Sequence, residues 1–262
     1  IEAAYLRREP ARIGWTSVDD WRHTHNRRWI RHPDRLIVDP FGQATGRAHM
    51  HPGYESPDVI GPSGPVDPEL SLIALQRQDG TPLGVIANYG QHYFGSPAIS
   101  ADYFGIFAKY IAESLGQPGE GNGPFVCAMS QGTSGDLATM DYGAPPQVRD
   151  MATYAAGVAQ FAEQGMQSLV YHDHVTLAAV EKRLKLRYRV PDRERLKWAE
   201  SVSASIENEI PKSLPEVYAR EALILNERQE TEIKLQAFRI GDLTIAALPN
   251  EVYALTGLKL KA

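Results

Sequence analysis

Apolar side chains recur at helical spacing at Phe104, Phe107, Ala108 and Ile111, which predicts a helix from about Asp102 to Leu115 that Gly116 can end. Just upstream, Leu70 to Leu75 and Pro82 to Tyr89 are short apolar runs around Asp79-Gly80, the signature of a β-hairpin. Phe125 to Met129 reads as a buried strand and Gln147 to Val170 as a long Ala-rich helix. From Val175 to Val190 the pattern alternates. Leu184, Leu186, Tyr188 and Val190 fall on one face, and Arg183, Lys185, Arg187 and Arg189 on the other, as in a half-buried strand with a solvated basic face. Helices are expected over Asp192 to Ser205 and Leu214 to Glu230, the first starting behind Pro191. A second hairpin, Ile233 to Ile240 and Leu243 to Leu248, turns on Gly241-Asp242, and a last helix begins after Pro249.

Residues 1 to 69 carry weak periodicity and many Pro, Gly, Arg and His, and read as long ordered loops with a short helix near Val18 to Arg28. Gly119 to Gly123 reads as a glycine-rich loop. Strands alternating with helices predict an α/β class, a single layered domain with a mixed β-sheet flanked by helices. Neither a repeat nor a linker marks a second domain.

Composition narrows the function. The chain has 262 residues, 43% hydrophobic and 23% charged, within the globular range. Its 27 basic and 32 acidic residues leave a formal charge of −5, which argues against a nucleic-acid partner. A single cysteine, Cys127, excludes an internal disulfide and a cysteine-rich zinc site. No apolar run reaches the roughly 18 residues of a membrane span. The chain starts at Ile1 and stops inside the last expected helix, as a processed or cut chain would, so an export signal could lie outside it.

Histidine carries the first chemical signal. Six of eight lie in His-x-His pairs, His23/His25, His49/His51 and His172/His174, which on a strand would share a face. Such pairs in loops are more often surface features than metal sites. His92 stands apart, just past a predicted strand in Asn88-Tyr89-Gly90-Gln91-His92, where α/β folds gather catalytic groups. Ser100 suits an N-cap and Asp102 the positive end of the following helix dipole. In Gln131-Gly132-Thr133-Ser134-Gly135-Asp136, small residues could turn backbone N–H groups into a cavity to hold an oxyanion. Glu251, at a strand-to-helix turn, is either a dipole-favoured surface carboxylate or a metal ligand or base.

Taken in order, several segments resemble the catalytic domain of the neutral/alkaline, non-lysosomal ceramidase family, nearer to bacterial homologues than to proven ceramidases. They are Asn26-Arg27-Arg28, Gly61 to Glu69, Asn88 to His92, Ser100-Ala101-Asp102 with Gly105, Gln131 to Asp136, and Leu248-Pro249-Asn250-Glu251-Val252, spread over residues 20 to 257. The resemblance implies a single catalytic domain across 1–262, incomplete at both ends. It implies a zinc amidohydrolase, exported or periplasmic, acting on a small-molecule or lipid substrate of the N-acyl sphingoid kind, with room for peripheral membrane contact. His92 and Glu251 would ligate Zn2+, Arg27 would hold the developing oxyanion, and the loop with Ser134 and Asp136 would line the reacting centre.

Two departures modify that picture. The family's Thr-His-Thr-His-Ser-Gly-Pro motif is not found and is expected before Ile1, and a further tyrosine ligand is expected after Ala262. Ala138 also stands where true ceramidases carry their serine nucleophile, so activated water is the expected nucleophile, with Ser134 or Thr133 as lesser candidates. The alternatives are a non-catalytic lipid- or carbohydrate-binding protein on the same scaffold, or a fragment whose partner chain completes the ligand set.

Overall fold

The structure, a computed structural model, describes residues 2–117, 125–207 and 210–262. The glycine-rich segment expected at Gly119 to Gly123 lies outside the described residues. In chain order the first elements are α1 (Glu2–Leu6), β1 (Ala11–Asp19), β2 (His25–Asn26), β3 (Arg28–Arg31), β4 (Ile37–Val38), β5 (Ala44–Gly46), β6 (Ala48–Met50) and β7 (Val59–Pro62). There follow β8 (Glu69–Arg77), β9 (Pro82–Tyr89), α2 (Asp102–Ser114), β10 (Val126–Gln131), β11 (Leu137–Ala138), α3 (Met151–Met166) and β12 (Tyr171–His172). The last are β13 (Leu177–Arg187), α4 (Arg193–Ser203), α5 (Leu214–Arg228), β14 (Glu230–Ile240), β15 (Leu243–Ala247) and α6 (Ala254–Lys261).

The chain divides into two compact units, each discontinuous in sequence: Ile1–Ile30, Ala48–Thr176 and Glu251–Ala262 form the larger, and Arg31–Arg47 with Leu177–Asn250 the smaller. The larger is built on a mixed five-stranded sheet in the order β10-β9-β8-β1-β12. Only β10 and β9 are parallel; the other pairs are antiparallel. On β8, Leu70, Leu72 and Ala74 alternate inward. The hairpin between β8 and β9 closes as its sequence implies, with Gly80 at φ 90° and the Asp79 carboxylate accepting the Thr81 amide at 2.9 Å. Over the sheet lie α2, with Tyr103, Phe107 and Ile111 fully buried at spacing four, and α3, with Ala155, Val158, Ala159 and Ala162. Each of the large apolar side chains contributes about 2–3 kcal/mol by leaving water.

The larger unit corrects two expectations. The stretch before residue 69 is not loop: β1 pairs with β8 along its whole length, and short strands follow. No helix forms between Val18 and Arg28. The buried Asp20 carboxylate accepts the Arg22 and His23 amides at 3.0 and 3.2 Å, a local side-chain turn that competes with helix and hands the chain on to β2.

In the smaller unit, β13, β14 and β15 form an antiparallel sheet whose second turn carries Gly241 at φ 59°. The unit's buried apolar residues among those described, Ala199, Ala219 and Ala222, belong to α4 and α5. Strand β13 is correspondingly not half-buried: every residue but Leu184 is exposed. Its basic side chains are matched across the sheet, Arg183 to Glu232 at 2.8 Å and Lys185 to Glu230 at 3.4 Å. Among the described residues no helix is long and apolar enough to cross a membrane.

Candidate functional site

The parallel strands β9 and β10 end together, and the segments that leave them form the candidate site in the larger unit. The Gly132 amide donates to the Tyr89 carbonyl at 2.8 Å, and a Cβ on Gly132 would meet the Gly90 Cα at 3.0 Å, so only glycine lets the two exits abut. Gly90-Gln91 then delivers His92. Its Nδ1 lies 3.4 Å from the Tyr93 carbonyl, which can only accept, so a neutral ring donates there and keeps its Nε2 lone pair outward. That Nε2 stands 3.8 Å from Glu251 Oε1.

Arg27 completes the group. Its Nη2 is 4.0 Å from Glu251 Oε2 and donates to the Gly135 carbonyl at 2.9 Å, while its buried Nε has no hydrogen-bond partner. The backbone around it is pinned. β2 pairs with β11, setting Asn26 opposite Leu137, and the Arg27 amide donates to the Asp136 carbonyl at 2.8 Å. Asp136 is the bracket: one carboxylate oxygen accepts Asn26 Nδ2 at 3.1 Å and the other the Ala254 amide at 2.9 Å. The Asn-Arg pair, the Gly-Asp pair and the segment after Glu251 are therefore tied together by one buried carboxylate.

Arg27 and His92 line a cavity of about 200 Å³, with His51, Ala138, Thr139 and Arg149 on its wall. A second cavity, of about 300 Å³, shares Phe94, Thr139 and Arg149 with it and adds Val148, Asp150 and Tyr154. His51 is held by a 2.6 Å bond between its Nδ1 and the Tyr142 hydroxyl. Burial, then the charges of Arg27, His92, Arg149 and His49, push its pKa below the ordinary histidine value. Sequence reasoning did not single out Arg149, or His51 apart from its pair. For His51 the only signal was the His-x-His spacing.

Ser134 and Asp136 do not reach the cavities: both are 2% exposed. The amides of Gly132 and Gly135 donate to Tyr89 and Val252, so these two amides are engaged in backbone pairing. The site thus gathers His92, Glu251 and Arg27 and sets Ser134 and Asp136 behind them. Of the other paired histidines, His23 lies 2.8 Å from Asp20 and edge-on to Tyr154 and Phe161, and His172 stacks on Trp15. Among the described residues no group of three or more His, Cys, Asp or Glu is placed to hold a metal ion.

Ser100 differs from expectation. Ala101 occupies the N-cap of α2, and the Ser100 hydroxyl accepts the Asp102 amide at 3.0 Å. Asp102, at φ 51°, stands in the first turn of α2 as expected, where its carboxylate accepts the Tyr103 amide at 2.8 Å, and it also gathers the amides of Phe94, Gly95 and Ser96 at 2.6, 3.0 and 2.9 Å. It thereby fixes a loop that lines both cavities.

No family model and no curated protein sequence matches the chain. Its fold is similar to that of neutral ceramidase from Pseudomonas aeruginosa, with a TM-score of 0.59 and 14% identity over 99% of this chain and 43% of that one. A ceramidase solved in complex with C2 matches with a TM-score of 0.60 and 14% identity, over 99% of this chain and 45% of that one. The chain spans less than half the length of either. At this identity the likeness is one of fold.

Proposed function

We propose that this chain carries part of the catalytic centre of a zinc-dependent hydrolase that cleaves an amide, N-acyl sphingoid-like in its simplest form, or an ester, in a secreted or periplasmic setting. The observation that carries the reading is that His92 and Arg27 line one cavity and Glu251 stands 3.8 and 4.0 Å from them, in a fold similar to that of ceramidases.

The donor set fits two positions of a zinc site. Tetrahedral ligands about 2.0–2.2 Å from one ion sit roughly 3.4 Å apart, and His92 Nε2 and Glu251 Oε1 are 3.8 Å apart. The remaining positions would be filled from outside the described residues. A zinc ion there would polarise the scissile carbonyl and acidify water at neutral pH.

This chain's own residues would do the rest. Ala138, on the cavity wall, has no nucleophilic atom, and Ser134 is buried and lines neither cavity, so water is the attacking group. Arg27, whose orientation is fixed by the Gly135 carbonyl, has donors to spare for the carbonyl oxygen as negative charge builds on it. Ala138 also favours a second reading, a lipid- or carbohydrate-binding protein that has lost its chemistry.

The test is turnover of a panel of N-acyl amides and acyl esters with and without a zinc chelator. The hydrolase reading expects chelator-sensitive release of fatty acid, lowered about 10²–10³-fold by Arg27→Ala. Absence of turnover on every substrate would favour the binding protein.

A further inference from the structure

Arg149 stands between the two cavities and contributes to the wall of both. Its Nη2 donates to the Phe94 carbonyl at 2.7 Å and to Thr139 Oγ1 at 3.5 Å, and its guanidinium lies 4.5 Å over the Phe94 ring. These partners are neutral, so they orient the cation without neutralising it. Arg149 has no carboxylate partner among the described residues, whereas other arginines are matched, such as Arg77 with Glu9. Asp150, the acidic group on the wall of the larger cavity, turns its Oδ2 to the Thr153 amide and hydroxyl as the cap of α3. Glu251 is shared by Arg27 and His92. The guanidinium has five N–H donors, and the two bonds to Phe94 and Thr139 both leave from Nη2.

We propose that Arg149 is the specificity residue of this site, and that the substrate is an amide or ester bearing a carboxylate, of the N-acyl amino acid type, whose carboxylate pairs with the Arg149 guanidinium. Phe94, Val148 and Tyr154 give the larger cavity an apolar lining suited to a small group beside that carboxylate, and its 300 Å³ is at the small end of ligand pockets. The planar fork of arginine matches a carboxylate with two parallel bonds. The hydroxyl headgroup of a neutral amino-alcohol amide would leave the cation unpaired.

This inference rests on the hydrolase reading for its turnover assay and is separable from it by binding. The probes are N-lauroylglycine and N-lauroylethanolamine, which share the chain and the amide and differ in a carboxylate against a hydroxymethyl. Wild type is expected to prefer the glycine conjugate at least tenfold in kcat/KM. Arg149→Gln should bring the ratio close to one, and Arg149→Lys should restore part of it. Equal rates for both probes in wild type, or a preference that survives in Arg149→Gln, would overturn the assignment and leave the hydrolase reading standing. If neither probe turns over, calorimetry decides: tighter binding of N-lauroylglycine that is lost in Arg149→Gln supports the assignment, and equal or absent binding overturns it. Thermal melts of both variants within a few degrees of wild type confirm that folded protein is compared.

Discussion

Gly135 approaches Glu251 so closely that a Cβ at position 135 would stand 2.5 Å from the Glu251 carbonyl oxygen. The Gly135 amide meanwhile donates to the Val252 carbonyl at 2.9 Å. This contact holds Glu251 against the strand ends that deliver His92. Gly135→Ala must push the 251–252 backbone away, because the obstructing atom is main chain and cannot rotate aside. The expected cost is about 1–3 kcal/mol, seen as a lower melting temperature together with lost turnover. Gly61→Ala, with open space around it and an ordinary φ, should change neither. Equal melting curves for the two variants would contradict the close approach.

Asp102 should make stability acid-sensitive. Burial raises its pKa, but the amides of Tyr103, Phe94 and Ser96 and the Ser96 hydroxyl outweigh burial and hold it at about 2, below the ordinary 3.8. A depressed folded-state pKa contributes stability above the unfolded value and loses it as pH falls through the folded one. Asp102→Asn should therefore cost on the order of 1–2 kcal/mol at neutral pH, and the gap should close between about pH 4 and pH 2. Denaturant titrations of both proteins across that range read the gap directly. A constant gap would place the effect in shape and not in charge.

Cys127 lies half-buried in β10, paired in register with Val85 of β9, and burial pushes its thiol from 9.0 up to about 12. Since thiolate is the reactive form, the native protein should alkylate roughly a thousandfold more slowly than a free thiol at pH 8. Unfolding should restore the ordinary rate. Fast alkylation of native protein, followed by mass spectrometry, would show that β10 opens readily.

Much of this architecture is legible along the chain. The two hairpins turn where Asp79-Gly80 and Gly241-Asp242 stand, and α2 follows the spacing of Phe107 and Ile111. Strand β1 is not legible because Gly14 reads as a loop residue. In the structure Gly14 is there because a Cβ would meet the Val170 carbonyl at 2.9 Å, where β12 closes the sheet edge. The short strands β2 to β7 are too brief for alternation to register. The two-unit division leaves no linker to read, since the smaller unit borrows Arg31–Arg47 from the middle of the larger one's sequence. At the candidate site, His92 and Glu251 were legible from their place beside predicted strands, and Arg27 only through the family resemblance. Arg149 was not, because its meaning comes from the two cavities that it lines and from the lack of a carboxylate partner among the described residues, neither of which has a local pattern.

That His92 and Glu251 form part of a metal centre is tested by elemental analysis of the full-length protein with and without His92→Ala. About one zinc ion per chain is expected in wild type and its loss in the variant, with the fold intact by circular dichroism. Zinc-free wild-type protein after growth in zinc-replete medium, or full occupancy in His92→Ala, would contradict it.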